Sequence, residues 1–184
     1  MKSLPARISI VALMTLLIAP SSFATLIYSD TTVGGPIWQR PTDSGPSLSN
    51  TVRYSLAGFF TDTSGLYTID SAQSFDGYIH LYLGNFDPLD QLTNLLAGDD
   101  DFGSNASQIA SQALLADTQY FLVTSGFGSS NQGTFTNTIT ADQGDPNIQL
   151  GIIDATGGGT GVPAPATVAL LGLGLLGLRL RRKA

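Results

Sequence analysis

Most apolar runs in the middle of the chain are short, and they either alternate with period two or are closed by turn residues. That pattern restricts the chain to strands. In "TVRYSLAGFF", Val52, Tyr54, Leu56 and Phe60 share one face, while Arg53 and Ser55 point away. The turn Asp62-Thr63-Ser64-Gly65 then reverses the chain into "LYTID", which offers Tyr67 and Ile69 to the interior. "GYIHLYLG" sets Ile79, Leu81 and Leu83 on one side and Tyr78, His80 and Tyr82 on the other. "TQYFLVTSG" is apolar on both faces, as a central strand requires. "GTFTNTIT" turns Phe135 and Ile139 inward and its four threonines outward, and "NIQLGII" reads as the last strand. Ser107 to Leu115 is ambiguous, best read as a short strand before a turn at Ala116-Asp117. Helices lose because no window longer than about ten residues keeps a 3.6-residue apolar stripe. The expected fold class is all-β, an antiparallel two-sheet β-sandwich.

Composition sharpens this. The chain has no Cys, so neither disulfides nor thiol chemistry are available. All fourteen acids are Asp, and they lie between Asp30 and Asp154, where Arg40 and Arg53 are the only basic residues. Two bases against fourteen acids give that stretch a formal charge of −12. Such a surface repels nucleic acid and anionic lipid. It tolerates divalent cations and neutral or cationic polymers.

Both chain ends differ from this body. Lys2 and Arg7 form a short positive region, Ile8 to Ala19 is apolar apart from Ser9 and Thr15, and Ser22-Phe23-Ala24 follows Pro20. This order is that of a secretory signal peptide, residues 1–24, expected to form a helix and to be cut by signal peptidase between Ala24 and Thr25. At 1.5 Å per residue its apolar run is too short for a roughly 30 Å hydrocarbon core. Residues 25–50, with "GGP" and "RPTDSGPS", read as an irregular arm with an edge strand. The sandwich is assigned to residues 51–153, and "DATGGGTG" at 154–161 is a flexible linker.

"SGLYTID", "FDGYIHLYLGNFDP", "LLAGDDDFGSNAS", "LLADTQYFLVTSGF" and "GTFTNTI" follow one another in the order seen in the bacterial pre-peptidase C-terminal domain, which the body between roughly residues 51 and 140 resembles. The resemblance implies a non-catalytic jelly-roll module of the kind appended to secreted peptidases. No peptidase domain precedes it in this sequence, so no accessory role to a protease in the same chain is expected.

The last residues begin with Val162-Pro163-Ala164-Pro165, a stiff extended step. Ala166 to Leu178 follows, thirteen residues that are apolar or Gly except for Thr167, and then Arg179, Arg181, Arg182 and Lys183. As a helix the apolar run is about 20 Å long, short for a bilayer unless Arg179 snorkels and the membrane thins. The positive-inside rule keeps the basic cluster in the cytoplasm and the body outside. The arrangement resembles the PEP-CTERM sorting signal of Gram-negative bacteria, in which a Pro-Glu-Pro-like motif, a short apolar helix and an arginine cluster are processed by an exosortase. That resemblance implies transient anchoring in the inner membrane, cleavage near Val162 to Pro165, and delivery to the cell surface or extracellular matrix. Ala164 stands where that signal carries Glu. The alternative is a permanent tail anchor.

Candidates for chemistry are few. His80, the only histidine, sits on the polar face of its strand and reads as surface or rim packing. No G-x-S-x-G elbow supports a Ser-His-Asp site, and Gly34-Gly35 and Gly157 to Gly159 lack the context of a phosphate loop. Asp99, Asp100 and Asp101 form the densest acidic cluster, a candidate Ca²⁺ loop weighed against a solvated turn; Asp76 and Asp87 join it only if the sheets bring their loops together. The cluster is not an EF-hand, since Gly103 and Ala110 fall on ligand positions. Trp38, Tyr54, Tyr78 and Tyr82 offer either an aromatic platform for a sugar or polymer, or core and rim packing. The expectation is a non-enzymatic exported protein, structural or adhesive in an exopolysaccharide or biofilm matrix. It would meet the export machinery, the exosortase and an extracellular polysaccharide or matrix protein, and no nucleic acid. The alternatives are a Ca²⁺-dependent carbohydrate- or protein-binding module and a secreted hydrolase.

Overall fold

The computed structural model describes residues 23–42 and 45–153, and within them the chain is all-β, without a helix. The signal helix, the linker, the C-terminal apolar helix and the cleavage motif lie outside the described residues. Ten strands run β1 Thr25–Thr31, β2 Ile37–Thr42, β3 Gly45–Thr61, β4 Gly65–Gln73, β5 Gly77–Leu83, β6 Leu95–Asp99, β7 Ala106–Leu114, β8 Tyr120–Gly126, β9 Thr134–Ala141 and β10 Ile148–Leu150. They form a four-stranded sheet, β1-β9-β4-β7, and a six-stranded sheet, β10-β3-β8-β5-β6 with β2 added to β3. Every pairing is antiparallel. Setting β2 and β10 aside and renumbering the other eight in chain order gives sheets 1-8-3-6 and 2-7-4-5, which is the winding of a jelly roll.

The period-two pattern explains the packing between the sheets. Tyr67 and Ile69 of β4, Ile79 and Leu81 of β5, Leu122 of β8 and Ile139 of β9 point inward and are fully buried together. Phe59 joins them from β3. Here the structure corrects the sequence: the alternation in β3 favours Phe60, yet Phe59 is the core residue. The even face carrying Val52, Tyr54 and Leu56 is the outer face of its sheet, and Leu56 is exposed there. On the odd face, Ser55 reaches across to the Asp30 carboxylate, and Thr61 meets the Tyr67 hydroxyl at 2.6 Å.

Residues 25–50 are more regular than an arm. They hold β1, which is an edge strand paired with β9 along its length, β2, and the start of β3. The β2–β3 hairpin folds over the outer face of the six-stranded sheet, and this makes a second buried layer from Trp38, Val52, Tyr54, Tyr82 and Val123. β7 runs through the ambiguous segment and bends at a register shift against Tyr67 and Ile69, near Ser111 at φ 49°. The turn after it contains Asp117, which adopts a left-handed conformation.

The body is pinned at one end where the chain enters and leaves. Ala141 N–H donates to Ala24 O at 3.0 Å, and Ile153 N–H donates to Gln119 Oε1 at 2.6 Å just before β8.

Candidate functional site

β5 alternates as the sequence requires, but its second face is sealed rather than wet. His80 is 0% exposed. Its ring stacks on Tyr78 at 4.4 Å, and Trp38 meets it edge-on at 5.3 Å. Trp38 also packs on Tyr54 and Tyr82. The structure therefore gathers all five sequence-selected rings into one cluster and covers them with β2. They form a packed layer, not an open platform, and His80 is not at the surface.

The electrostatics follow from that burial. His80 Nε2 lies 3.2 Å from Pro41 O. A carbonyl only accepts, so Nε2 carries the proton and Nδ1 is bare. Burial pushes the imidazole down to about 3, and the positive charge of Arg40 adds to the effect. Arg40 is itself 2% exposed. Its Nε donates to Phe127 O at 3.1 Å and its Nη1 to Pro41 O at 3.0 Å, with the guanidinium 4.3 Å above the Tyr78 ring and 4.7 Å from that of Phe127. These contacts fasten β2 to β5 and to the loop after β8. Burial likewise raises the Tyr82 and Tyr54 phenols.

The acidic loop is used internally. Gln108 N–H of β7 donates to the Asp99 carboxylate at 2.7 Å, and Ser107 Oγ donates to Asp100 O at 3.4 Å. Asp99 thereby ties the edge of β6 to the edge of β7 across the two sheets. Asp101 is exposed. Asp76 and Asp87 lie beyond opposite ends of β5, a seven-residue strand roughly 23 Å long. Asp87 accepts the Leu89 N–H at 2.8 Å. Among the described residues no three acidic or imidazole side chains lie close enough to hold a metal ion.

Nothing in the sequence signals a hollow on the four-stranded sheet. An open trough of about 840 Å³ crosses the outer face of the four-stranded sheet near the start of β9. Register produces it. One row of paired residues, Ser29, Thr136, Ala72 and Ala106, is small throughout. The next row, Ile27, Thr138, Asp70 and Gln108, stands higher, and Gln108 Nε2 locks onto Asp70 at 2.7 Å. Beyond the small row, Thr31, Thr134, Ser74 and the Ser104-Asn105 turn close the far side. Ser29 and Thr136 hydroxyls meet at 2.8 Å, and Thr134 Oγ1 donates to Ser74 Oγ at 3.3 Å. The outward threonines of β9 were visible in "GTFTNTIT". The trough was not, because it needs four strands that are far apart in sequence.

The class is thus an all-β sandwich followed by an apolar, arginine-capped tail. Residues 161–183 match the model of the PEP-CTERM protein-sorting motif, a span that takes in Val162, Pro163, Ala164, Pro165, Arg179, Arg181, Arg182 and Lys183. The match holds with Ala164 in place of Glu. This motif marks an exported protein that is transiently anchored in the membrane and handled by exosortase-type machinery. No curated protein matches the chain. Among the described residues no helix is long and apolar enough to cross a membrane.

Proposed function

We propose that the protein is a non-catalytic structural or adhesive component of the cell surface or extracellular matrix of a Gram-negative bacterium. The observation that carries the reading is the sorting motif at residues 161–183. The body is cut free near Val162 to Pro165 after signal peptidase has removed residues 1–24. Features of the body support a binding rather than a chemical role. The single histidine is sealed beneath β2, Asp99 is bonded to β7 and Asp70 to Gln108, and the hollow on the four-stranded sheet is lined by small hydroxyl and methyl groups. A net charge of −12 keeps such a body soluble and away from anionic surfaces.

Mass spectrometry of the protein from its native host tests the reading. A mature chain starting at Thr25 and ending near Pro163 or Pro165 is expected. Deletion of the exosortase should leave the tail uncut. An intact Ala184 in the exosortase-positive host would replace processing with a permanent anchor, and a cytosolic full-length chain that retains Met1 would end the export reading.

A further inference from the structure

We infer that the trough across β1, β9, β4 and β7 binds a neutral polysaccharide chain; this rests on the surface or matrix role proposed above and gives that role its ligand class. The lining decides the chemistry. Ser29, Thr31, Ser74, Thr134 and Thr136 supply hydroxyls, and Asn105 adds an amide that makes no side-chain hydrogen bond among the described residues. Each hydroxyl offers one donor and two acceptor sites, so pairing within the trough leaves acceptors free for a ligand. The methyl groups of Ala72, Ala106 and the threonines complete a floor that alternates polar and apolar atoms, as the faces of sugar rings do.

Charge and shape remove the competitors. No basic side chain lines the trough, Arg40 is buried against the other sheet, and Arg53 is tied to Gly35 O at 2.6 Å. An anionic polymer would face a body of charge −12 with no counter-charge. Asp30 is turned to Ser55, and Asp70 is held by Gln108, so neither carboxylate is presented as a cation site. A peptide joining the sheet would take an edge strand, whereas the trough lies on a face whose backbone is already paired. Four strands at about 4.8 Å spacing give a run of roughly 14 Å, long enough for a short stretch of an extended chain. The trough also lies near the start of β9, away from Gln119 and Ile153 where the tail departs, so a tethered body presents it outward.

The test is retention of the host-processed protein on insoluble neutral glucans, microcrystalline cellulose and a β-1,3-glucan, with alginate beads as the anionic control. The wild type should be retained on at least one glucan, released by soluble oligosaccharides of that glucan, and pass through alginate. Ala72→Trp fills the trough, and the double variant T134V/T136V removes two hydroxyls while keeping β-branched strand residues. Each should weaken retention at least tenfold with an unchanged melting temperature, while Thr140→Val, on β9 but outside the trough, should behave as wild type. Equal retention by Ala72→Trp, retention only on alginate, or no retention on either glucan would overturn the assignment. The mature C-terminus measured on the same samples separates the two levels: correct processing without retention sinks the trough alone, and failed processing sinks the sorting role.

Discussion

The molecule has two buried layers built on different terms. Between the sheets, Ile69, Ile79, Leu81, Leu122 and Ile139, with Phe59, Tyr67 and Tyr120, form a mainly aliphatic interior that strand alternation largely assembles. Under β2, the same strand β5 turns Tyr78, His80 and Tyr82 to a layer of rings shared with Trp38, Tyr54 and the Arg40 guanidinium. The first layer gains chiefly by burying carbon and leaves one polar atom, Asn137 Oδ1, without a hydrogen-bond partner among the described residues. The second layer surrenders water at polar atoms: Trp38 Nε1, His80 Nδ1 and Ser125 Oγ have no hydrogen-bond partner among the described residues. Each such atom costs about 1–3 kcal/mol relative to a satisfied one. Ring packing and two buried backbone acceptors must offset that cost, so the second layer holds only while β2 stays in place.

Acid separates the layers most sharply. His80 is held near 3 in the folded chain against an ordinary 6.5. Below pH 6.5 the unfolded chain takes up a proton that the folded chain refuses, so the stability this residue supplies is complete above 6.5. It is lost as pH falls from 6.5 towards 3. At 1.36 kcal/mol per pH unit the ceiling is about 5 kcal/mol. In urea melts of wild type and His80→Phe, the variant should show a shallower fall in stability across that window. Parallel profiles would mean that water reaches the imidazole and that β2 does not seal it. A nitrogen-detected NMR spectrum with the proton on Nδ1 would break the Pro41 contact on which the layer is built.

Truncation compares the layers directly. Leu81→Ala should cost about 2–5 kcal/mol and Trp38→Ala about 3–5, because each empties a site with almost no exposure. Chemical denaturation measures both. A Trp38→Ala cost below about 0.5 kcal/mol would reduce β2 to a surface decoration, since substitutions away from packed features fall in that range.

The two layers were not equally legible in the sequence. Tyr67, Ile69, Ile79, Leu81, Phe135 and Ile139 could be placed because strand period is local and the inner face of each strand meets the same partner sheet. His80 looked solvent-facing because nothing within β5 reveals that a hairpin from residues 37–53 lies over it. Proline and glycine near β2 pointed to irregular chain, yet Pro41 supplies a carbonyl to both His80 and Arg40. Phe59 and Phe60 are adjacent and equally apolar, so only the pairing of β3 with β8 and β10, both distant in sequence, tells which one faces inward. The trough was hidden for the same reason as the ring layer. Its small row is a property of register among β1, β9, β4 and β7, and register is set by contacts distant in sequence.

The smallest expected effect concerns the acidic loop, where composition suggested a metal and the fold supplies a hydrogen bond. Asp99 accepts the Gln108 N–H across the open side of the sandwich, where the edges of β6 and β7 meet. Asp99→Ala leaves that donor unmatched and should lower stability by about 1–2 kcal/mol, while Asp101→Ala, at an exposed position, should change it by less than about 0.5. Calcium titrated into the wild type should leave the melting temperature where it was. A rise that saturates with calcium and disappears in Asp99→Ala would reverse the order of importance. Mass action would then attribute the stabilisation to ion binding, and the edge-to-edge bond would be only the form the loop takes without the ion.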